Sequence, residues 1–415
     1  MAGGTVRTLE NDEELRTYIW NIRTAFLEGK DITDEAVAWL HERWDLDRTW
    51  AAIDDDGRVC ASTRSFPSGL RLPGLGEVPV SCLTAVTCLP THTRRGHVTR
   101  LMRTQLEAAI ECGEVASLLV AAEWPIYGRF GYGPAITWTE WQVDVDRARL
   151  RPTLPPPAGS CTLCTPEEFV GPLEEIHLAQ QAITPGSIRR LPWIFGIDAG
   201  VDAWPFDDKK PERVRLLHRD ADGRPDGYAI YDPKAKWEGM RPRGVLKVED
   251  MAWTTPAAER ELWRYLLDVD LASAIEYDGS SSASVQHLLV NGRDAHKAAE
   301  WDHIWAVVLD VPAAFEARAY AAAGTAVVEV VDDFLGRGGT FSFDVSPDGA
   351  TCKPTPEATA EVTVTLSDLS AAWLGGTDLR RLAAGGRVDE HAAGALDRFA
   401  ALLRWHQAPD CFTSF

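Results

Sequence analysis

Two arginines and a glycine, Arg94, Arg95 and Gly96, stand between an apolar stretch and an amphipathic one. Residues 81–88 are rich in β-branched side chains, which predicts a strand. Residues 97–112 carry apolar side chains at helical spacing, which predicts a helix. Because a helix N-terminus presents unpaired N–H groups and the positive end of the dipole, this turn suits a pyrophosphate.

The same residues have the chemistry that coenzyme A requires. Arg94 and Arg95 would neutralise its phosphates, and strand residues 86–88 would offer backbone groups to its amide-rich pantetheine arm. A basic turn of this length is also typical of a solvated helix start that binds nothing. From these residues alone, both interpretations stay open.

A second candidate segment, residues 124–133, reads WPIYGRFGYG and contains two tyrosines. A tyrosine of ordinary pKa, about 10, is neutral at neutral pH and can donate a proton to a leaving group. Tyr127 and Tyr132 are therefore rival proton donors. Either can equally be a core aromatic residue whose hydroxyl has found a partner.

The composition is that of a globular protein with a strong negative charge. The chain has 415 residues, of which 45% are hydrophobic, and 42 Lys and Arg against 62 Asp and Glu give a net charge of −20. Such an excess disfavours nucleic acids and anionic membranes as partners and favours cationic ones. We recognise no signal peptide and no apolar run of about 20 residues, so we expect a cytoplasmic protein.

The cysteines do not predict a disulfide scaffold or a metal site. Eight cysteines are spread along the chain, mostly in apolar surroundings, as is typical of reduced buried thiols. Cys161 and Cys164 have the spacing of metal ligands, but no second Cys or His pair follows them. We therefore expect no bound metal.

The predicted elements alternate between strands and helices until about residue 300 and then follow an α+β order. Strands are expected at 49–61 (two around a turn), 81–88, 115–122, 213–218, 227–231, 245–253, 286–290, 327–331, 340–345 and 361–366. Helices are expected at 97–112, 256–268, 368–373, 378–384 and 389–405. In the middle third, residues 286–290 are interpreted as the strand that returns after helix 256–268.

The strand, the Arg-Arg-Gly turn, the helix, the following strand and the motif Tyr-Gly-Arg-Phe-Gly-Tyr-Gly together resemble the GNAT acyltransferases. More narrowly, the chain resembles the Eis (enhanced intracellular survival) acetyltransferases over its whole length. The resemblance implies two GNAT-like domains in tandem and a C-terminal α+β domain similar to sterol carrier proteins. The domain limits would be 1–150 for the catalytic domain, 151–303 for a central domain that lacks a phosphate loop, and 304–415.

The resemblance also implies a role for individual residues. Tyr127 would be the general acid and the α-carboxylate of Phe415 the general base. The residues implied to bind acetyl-CoA, as a co-substrate, are Val86, Thr87, Cys88, Arg94, Arg95, Gly96, His97, Val98, Thr99, Ala122 and Glu123. The turn departs from the usual family pattern at Thr93 and Val98, where a cationic or amide side chain and a small residue are common.

The resemblance implies direct acetyl transfer to primary amines of polycationic acceptors, such as aminoglycosides, lysine side chains or polyamines. It also implies a homo-oligomer, which is a hexamer in the family. Acidic residues near the N-terminus, Glu28, Asp31, Asp34 and Glu35, suit such acceptors, and Trp20, Phe26, Trp39 and Trp44 could supply aromatic walls. Three alternatives remain: transfer of longer acyl chains, lipid binding by the C-terminal domain, and a scaffold without catalytic activity, which the departures at Thr93 and Val98 suggest.

Overall fold

The computed structural model describes residues 4–29, 31–207 and 212–415. Its strands are β1 (Thr5–Thr8), β2 (Thr49–Ile53), β3 (Val59–Arg71), β4 (Glu77–Cys88), β5 (Ala116–Val120), β6 (Gly133–Asp144), β7 (Ser160–Leu163), β8 (Val214–Arg219), β9 (Pro225–Lys234), β10 (Trp237–Glu238), β11 (Arg241–Pro242), β12 (Gly244–Trp253), β13 (Ala272–Ser280), β14 (Ala295–Val308), β15 (Gly324–Val331), β16 (Gly339–Ser346), β17 (Gly349–Pro354), β18 (Val362–Thr365) and β19 (Val388–Glu390).

The α-helices are α1 (Asp12–Ala25), α2 (Asp34–His41), α3 (His97–Glu111), α4 (Trp124–Tyr127), α5 (Pro166–Ile183), α6 (Pro192–Ala199), α7 (Pro256–Leu267), α8 (Val285–Leu288), α9 (Val311–Glu316), α10 (Leu366–Ala372), α11 (Leu379–Ala384) and α12 (Ala395–Leu403). Among the described residues, no helix combines the length and apolar character that crossing a bilayer requires.

The chain divides into two compact units. Unit 1 comprises residues 1–136, 303–407 and 415, and unit 2 comprises 137–302 and 408–414. The three domain limits expected from the sequence remain a prediction, because this division groups the segments differently.

Unit 1 contains two sheets. In the first, β1, β2, β3 and β4 are antiparallel neighbours, β5 pairs parallel to β4, and the end of β14 pairs antiparallel to β5. Helix α3 connects β4 to β5, which makes the predicted βαβ unit. The second sheet has the order β17-β16-β15-β18-β19, with β15 and β18 parallel.

Unit 2 contains a sheet of the order β6-β13-β12-β9-β8-β7, in which β12 and β13 are parallel neighbours and the pairs β6–β13, β12–β9, β9–β8 and β8–β7 are antiparallel. Helix α7 connects β12 to β13 and begins after Thr255, as predicted. The interpretation of residues 286–290 as the return strand is wrong. The return strand is β13, in which buried Ile275 and Tyr277 alternate with polar neighbours, while residues 285–288 form the short helix α8.

The last third contains a further difference from the predicted elements. Residues 389–405 were expected to form one helix, but 388–390 form the edge strand β19 and α12 begins only at Ala395. Gly394, in the left-handed conformation at φ 76°, separates the two elements. The three residues Val-Asp-Glu of β19 are too few to show an alternating pattern, and acidic residues are also common in the first turn of a helix, which explains the error.

Candidate active site

Strands β4 and β5 separate to form a fork in unit 1. Their parallel pairing ends at Leu83 and Leu119, although β4 continues to Cys88. At the same point β4 contains a bulge, because Ala85 and Val86 lie opposite a single residue of β3. A bulge bends its strand and increases the local twist. The two strands therefore diverge towards their C-terminal ends, and β4 beyond the bulge has a paired neighbour in β3 but, among the described strands, none on its β5 side.

The fork opens into a cavity of about 610 Å³. Many of the residues implied by the family resemblance lie together in its wall. They are Val86, Thr87, Cys88, Val98, Ala122, Glu123, Tyr127 and Phe415.

The wall also contains residues that the sequence analysis did not assign to the site. They are Ala25, Leu83, Thr84, Ala85, Thr93, Leu119, Val120, Ala121, Ile126 and Arg129. Phe26, which the sequence suggested only as an aromatic wall for the acceptor, also lies there. Arg129 belongs to the Tyr-Gly-Arg-Phe-Gly segment, so its position within that motif was an available signal. Thr93 and Val98, the two departures from the family pattern, both face the cavity.

The basic turn places Arg94, Arg95 and Gly96 at the surface before helix α3, and Thr99 is exposed in the first turn of that helix; these four residues are not in the cavity wall. Gly96 is the N-cap of α3 at φ 80°, and no side chain caps the helix. A Cβ atom built on Gly96 would have no atom within 4 Å. The first-turn N–H groups of α3 are therefore accessible, and two exposed guanidinium groups precede them. This arrangement fits a pyrophosphate.

His97 turns its side chain into the protein. The ring is 3% exposed, and its Nδ1 lies 2.9 Å from a guanidinium nitrogen of Arg100 and 3.7 Å from Sγ of Cys60. Burial and the nearby arginine lower the pKa of His97. Only its backbone N–H is thus available to a ligand at this turn.

Tyr127 ends the short helix α4 and is 6% exposed. Among the described residues, its hydroxyl has no hydrogen-bond partner. Burial and the neighbouring carboxylate of Glu123 raise the pKa of Tyr127 to about 12, so the hydroxyl is protonated at neutral pH. It is an acid that can donate a proton into the cavity.

Tyr132, the rival donor, has a different environment. It is fully buried, does not line the cavity, and donates its hydroxyl hydrogen to Ser117 Oγ at 2.7 Å. Its ring packs edge-to-face against Tyr127 at a centroid distance of 6.2 Å. Tyr132 is therefore the core aromatic with a satisfied hydroxyl, and it supports the ring of Tyr127 by packing.

Phe415 lies in the cavity wall, and its ring contacts the ring of Phe66 of β3 edge-to-face at a centroid distance of 5.4 Å. This packing holds Phe415 at the fork of unit 1.

Part of the expected acidic surface near the N-terminus is already neutralised. Glu28 forms an ion pair with Arg23 at 3.0 Å, and Asp34 forms one with Arg16. Asp31 and Glu35 form no ion pair with any other described residue. The charge available to a cationic acceptor in this region is consequently smaller than the sequence indicates.

Unit 2 has a comparable strand–helix junction with different chemistry. Thr255 caps helix α7 by accepting a hydrogen bond from the N–H of Ala258 at 3.0 Å, and Pro256 removes a further donor. The two residues that connect β12 to this helix are Thr254 and Thr255, so the junction has neither arginine nor glycine. The helix start is thus closed to a phosphate by its own residues.

Comparison with known families gives three matches along the chain. Residues 5–135 and 186–309 each match an acetyltransferase (GNAT) domain, and residues 311–412 match a sterol carrier protein domain. These matches confirm the predicted fold class of two GNAT domains followed by a sterol carrier-like domain.

Several relatives match over most of their length. An uncharacterized N-acetyltransferase of Streptomyces avermitilis is 36% identical over 96% of both chains, and the N-acetyltransferase Eis of Mycobacterium tuberculosis is 32% identical over 80% of both. The crystal structure of Eis1 from Mycobacterium abscessus superposes with a TM-score of 0.85 at 28% identity, covering 99% of this chain and all of the other.

A GCN5-related N-acetyltransferase from Anabaena variabilis shares the fold, with a TM-score of 0.82 at 18% identity over the full length of both chains. GNAT enzymes use an acyl-CoA as co-substrate, and the uncapped helix start beside the fork fits this group. The matched domains, the relatives and the Eis1 structure show that this chain is an acetyltransferase and belongs to the Eis-type GNAT N-acetyltransferase family.

Proposed function

We propose that the protein transfers the acetyl group of acetyl-CoA directly to primary amines of polycationic acceptors, such as aminoglycosides, lysine side chains or polyamines. One observation carries this proposal: Tyr127 and Phe415 line the same cavity as the diverging ends of β4 and β5. An acid, a base and a place for the acyl donor are the parts that a single-step transfer requires.

In this proposal acetyl-CoA supplies an activated acetyl thioester, and residues of the chain donate and accept the protons. The hydroxyl of Tyr127 donates its proton to the departing sulfur. The α-carboxylate of Phe415 accepts a proton from the attacking amine, directly or through water. Its ordinary pKa of about 3.5 makes it a weak base, so it acts on an amine that the site has partly desolvated.

The acceptor class rests on charge. The net charge of −20 attracts cations over long range, and Asp31 and Glu35 add carboxylates a few residues along the sequence from Phe26, which lines the cavity. Because Glu28 and Asp34 are paired with arginines, we expect attraction to raise the association rate more than the final affinity.

Turnover of acetyl-CoA by the full chain against a panel of amines tests the proposal. The panel contains an aminoglycoside, a polyamine, a lysine peptide and a neutral primary amine, and release of free thiol is the readout. We expect the cationic acceptors to have the higher kcat/KM, and the difference to shrink as salt is added. No turnover with any amine, or equal turnover for neutral and cationic amines at low salt, would contradict it.

The same assay separates the alternatives. Thioesters of increasing acyl length compete with acetyl-CoA, and a preference for long chains would replace acetyl transfer by long-chain acyl transfer. Retention of a fatty acid or sterol by the full chain, without turnover of any thioester, would favour lipid binding.

Gly96 offers a test of the pyrophosphate site. Asp and Asn are both good N-caps and both tolerate a positive φ, so Gly96→Asp and Gly96→Asn should fold alike. The Asp carboxylate would occupy the anion position and repel the phosphates. We expect the Asp variant to raise KM for acetyl-CoA by about tenfold or more relative to the Asn variant, with similar melting temperatures. Equal KM values for the two variants would place the pyrophosphate elsewhere.

The raised pKa of Tyr127 predicts the alkaline behaviour of the reaction. The acid works in its protonated form, which persists up to its pKa of about 12, while the acceptor must lose its proton to attack. For a lysine-like amine of pKa about 10.4, kcat/KM should rise with pH and show no decline below about pH 11. A descending limb with a midpoint near the ordinary tyrosine pKa of about 10 would show that Tyr127 is not the acid in this environment.

A further inference from the structure

The bulge that opens the fork is conformationally strained. Ala85 has φ 54°, in the left-handed region that residues with a Cβ atom rarely adopt. The residue here is alanine and not glycine, which is the residue that adopts this region without strain. Such a conformation persists only where the surrounding contacts fix it.

Contacts from two neighbouring elements, β3 and α1, converge on the bulge. Ser62 of β3 donates its hydroxyl hydrogen to the carbonyl of Ala85 at 3.0 Å. Thr87, just after the bulge, donates to Oδ1 of Asn21 of helix α1 at 2.7 Å, and its Oγ1 also contacts Oγ of Ser62. Asn21 in turn donates to the carbonyl of Val59 at 3.4 Å.

These side chains are almost inaccessible to solvent. Asn21 and Ser62 are 0% exposed and Thr87 is 5% exposed. Buried polar groups are costly unless their hydrogen bonds are formed, so a network of this kind favours one arrangement of the elements that contribute to it. Here those elements are α1, β3 and the part of β4 that follows the bulge.

A similar network exists where β4 and β5 are still paired. Gln105 of α3 donates to Oγ of Ser81 at 2.8 Å, and Arg48 donates to the same oxygen at 3.0 Å. Ser81 is also 0% exposed, but it pairs with Ser117 of β5, on the closed side of the fork. Both networks are buried in the same sheet, and of the two only the first contacts the bulge.

We propose that Asn21, Ser62 and Thr87 form a positioning network that holds the β4 bulge and thereby keeps the fork open for the pantetheine arm of the acyl donor. Asn21 and Ser62 do not line the cavity, so they act through Ala85 and Thr87. This inference rests on the proposed function. Without the network, Ala85 can return to an extended conformation and the two strands can approach each other.

Steady-state kinetics of Ser62→Ala in the full chain test the proposal, with Ser81→Ala as the matched control. Each substitution removes one fully buried hydroxyl from the same sheet, so both should lower the melting temperature. We expect Ser62→Ala to raise KM for acetyl-CoA about tenfold with little change in kcat, and Ser81→Ala to leave KM unchanged. Asn21→Leu, which removes the other end of the network, should shift KM in the same direction.

These experiments distinguish failure of the positioning network from failure of the proposed function. If the parent chain binds and turns over acetyl-CoA but Ser62→Ala and Asn21→Leu keep its KM, the positioning network is rejected while the function stands. Equal KM increases for Ser62→Ala and Ser81→Ala would also reject it, because loss of stability would then explain both. If the parent chain does not bind acetyl-CoA, the proposed function itself is wrong.

Discussion

Replacement of Tyr127 by Phe is expected to lower kcat by about 10²- to 10⁴-fold while acetyl-CoA still binds, because it removes only the proton that the departing sulfur needs. The ring keeps its packing against Tyr132, and the hydroxyl has no other partner among the described residues to lose. Steady-state kinetics with saturating amine, together with calorimetric titration of acetyl-CoA, separate turnover from binding.

Tyr132→Phe is the matched control for that substitution. Its hydroxyl donates to Ser117 in the core, so its loss should cost about 1 kcal/mol of the free energy of unfolding and leave kcat unchanged. The assignment of the acid would be overturned if Tyr127→Phe retained the parent kcat, or if Tyr132→Phe lost activity without losing stability.

Displacement of the Phe415 carboxylate is expected to lower kcat by about as much as Tyr127→Phe does. Addition of Gly-Ser after Phe415 keeps the phenyl ring against Phe66 but replaces the carboxylate at this position by a neutral amide. Since general base catalysis typically contributes about 10²- to 10⁴-fold, we expect kcat to fall within that range.

Phe415→Leu provides the control, because it changes the ring but keeps the α-carboxylate. We expect it to retain more of the parent kcat than the extended chain does. The reverse order would show that the aromatic ring, rather than the carboxylate, is the contribution of Phe415. Equal kcat for the extended and parent chains would remove the carboxylate from the mechanism.

The sequence was most informative where the chemistry lies in contiguous residues. Helix α3 and its glycine start could be predicted because apolar spacing and Gly96 mark them locally. The Tyr-Gly-Arg-Phe-Gly-Tyr-Gly motif likewise pointed to the family that the matched domains confirm. Which of its tyrosines faces the cavity was open from the residues alone, because burial of Tyr132 against Ser117 depends on the packing of β5.

Features that depend on contacts between distant residues were not predictable. The bulge at Ala85 requires the register of β3 against β4, and nothing in a run of β-branched residues signals it. Residues 286–290 and β13 are both partly apolar, and the parallel pairing with β12 identifies β13 as the return strand. The ion pair of Asp34 with Arg16 likewise joins residues that are 18 positions apart in the sequence.

A crystal structure of the full chain with coenzyme A tests the central claim most directly. We predict electron density for the pantetheine arm along Val86–Cys88 in the fork, phosphates at the start of α3, and the thiol within hydrogen-bonding distance of the Tyr127 hydroxyl, about 3 to 4 Å. Coenzyme A bound away from the β4–β5 fork, or a thiol remote from Tyr127, would contradict the account.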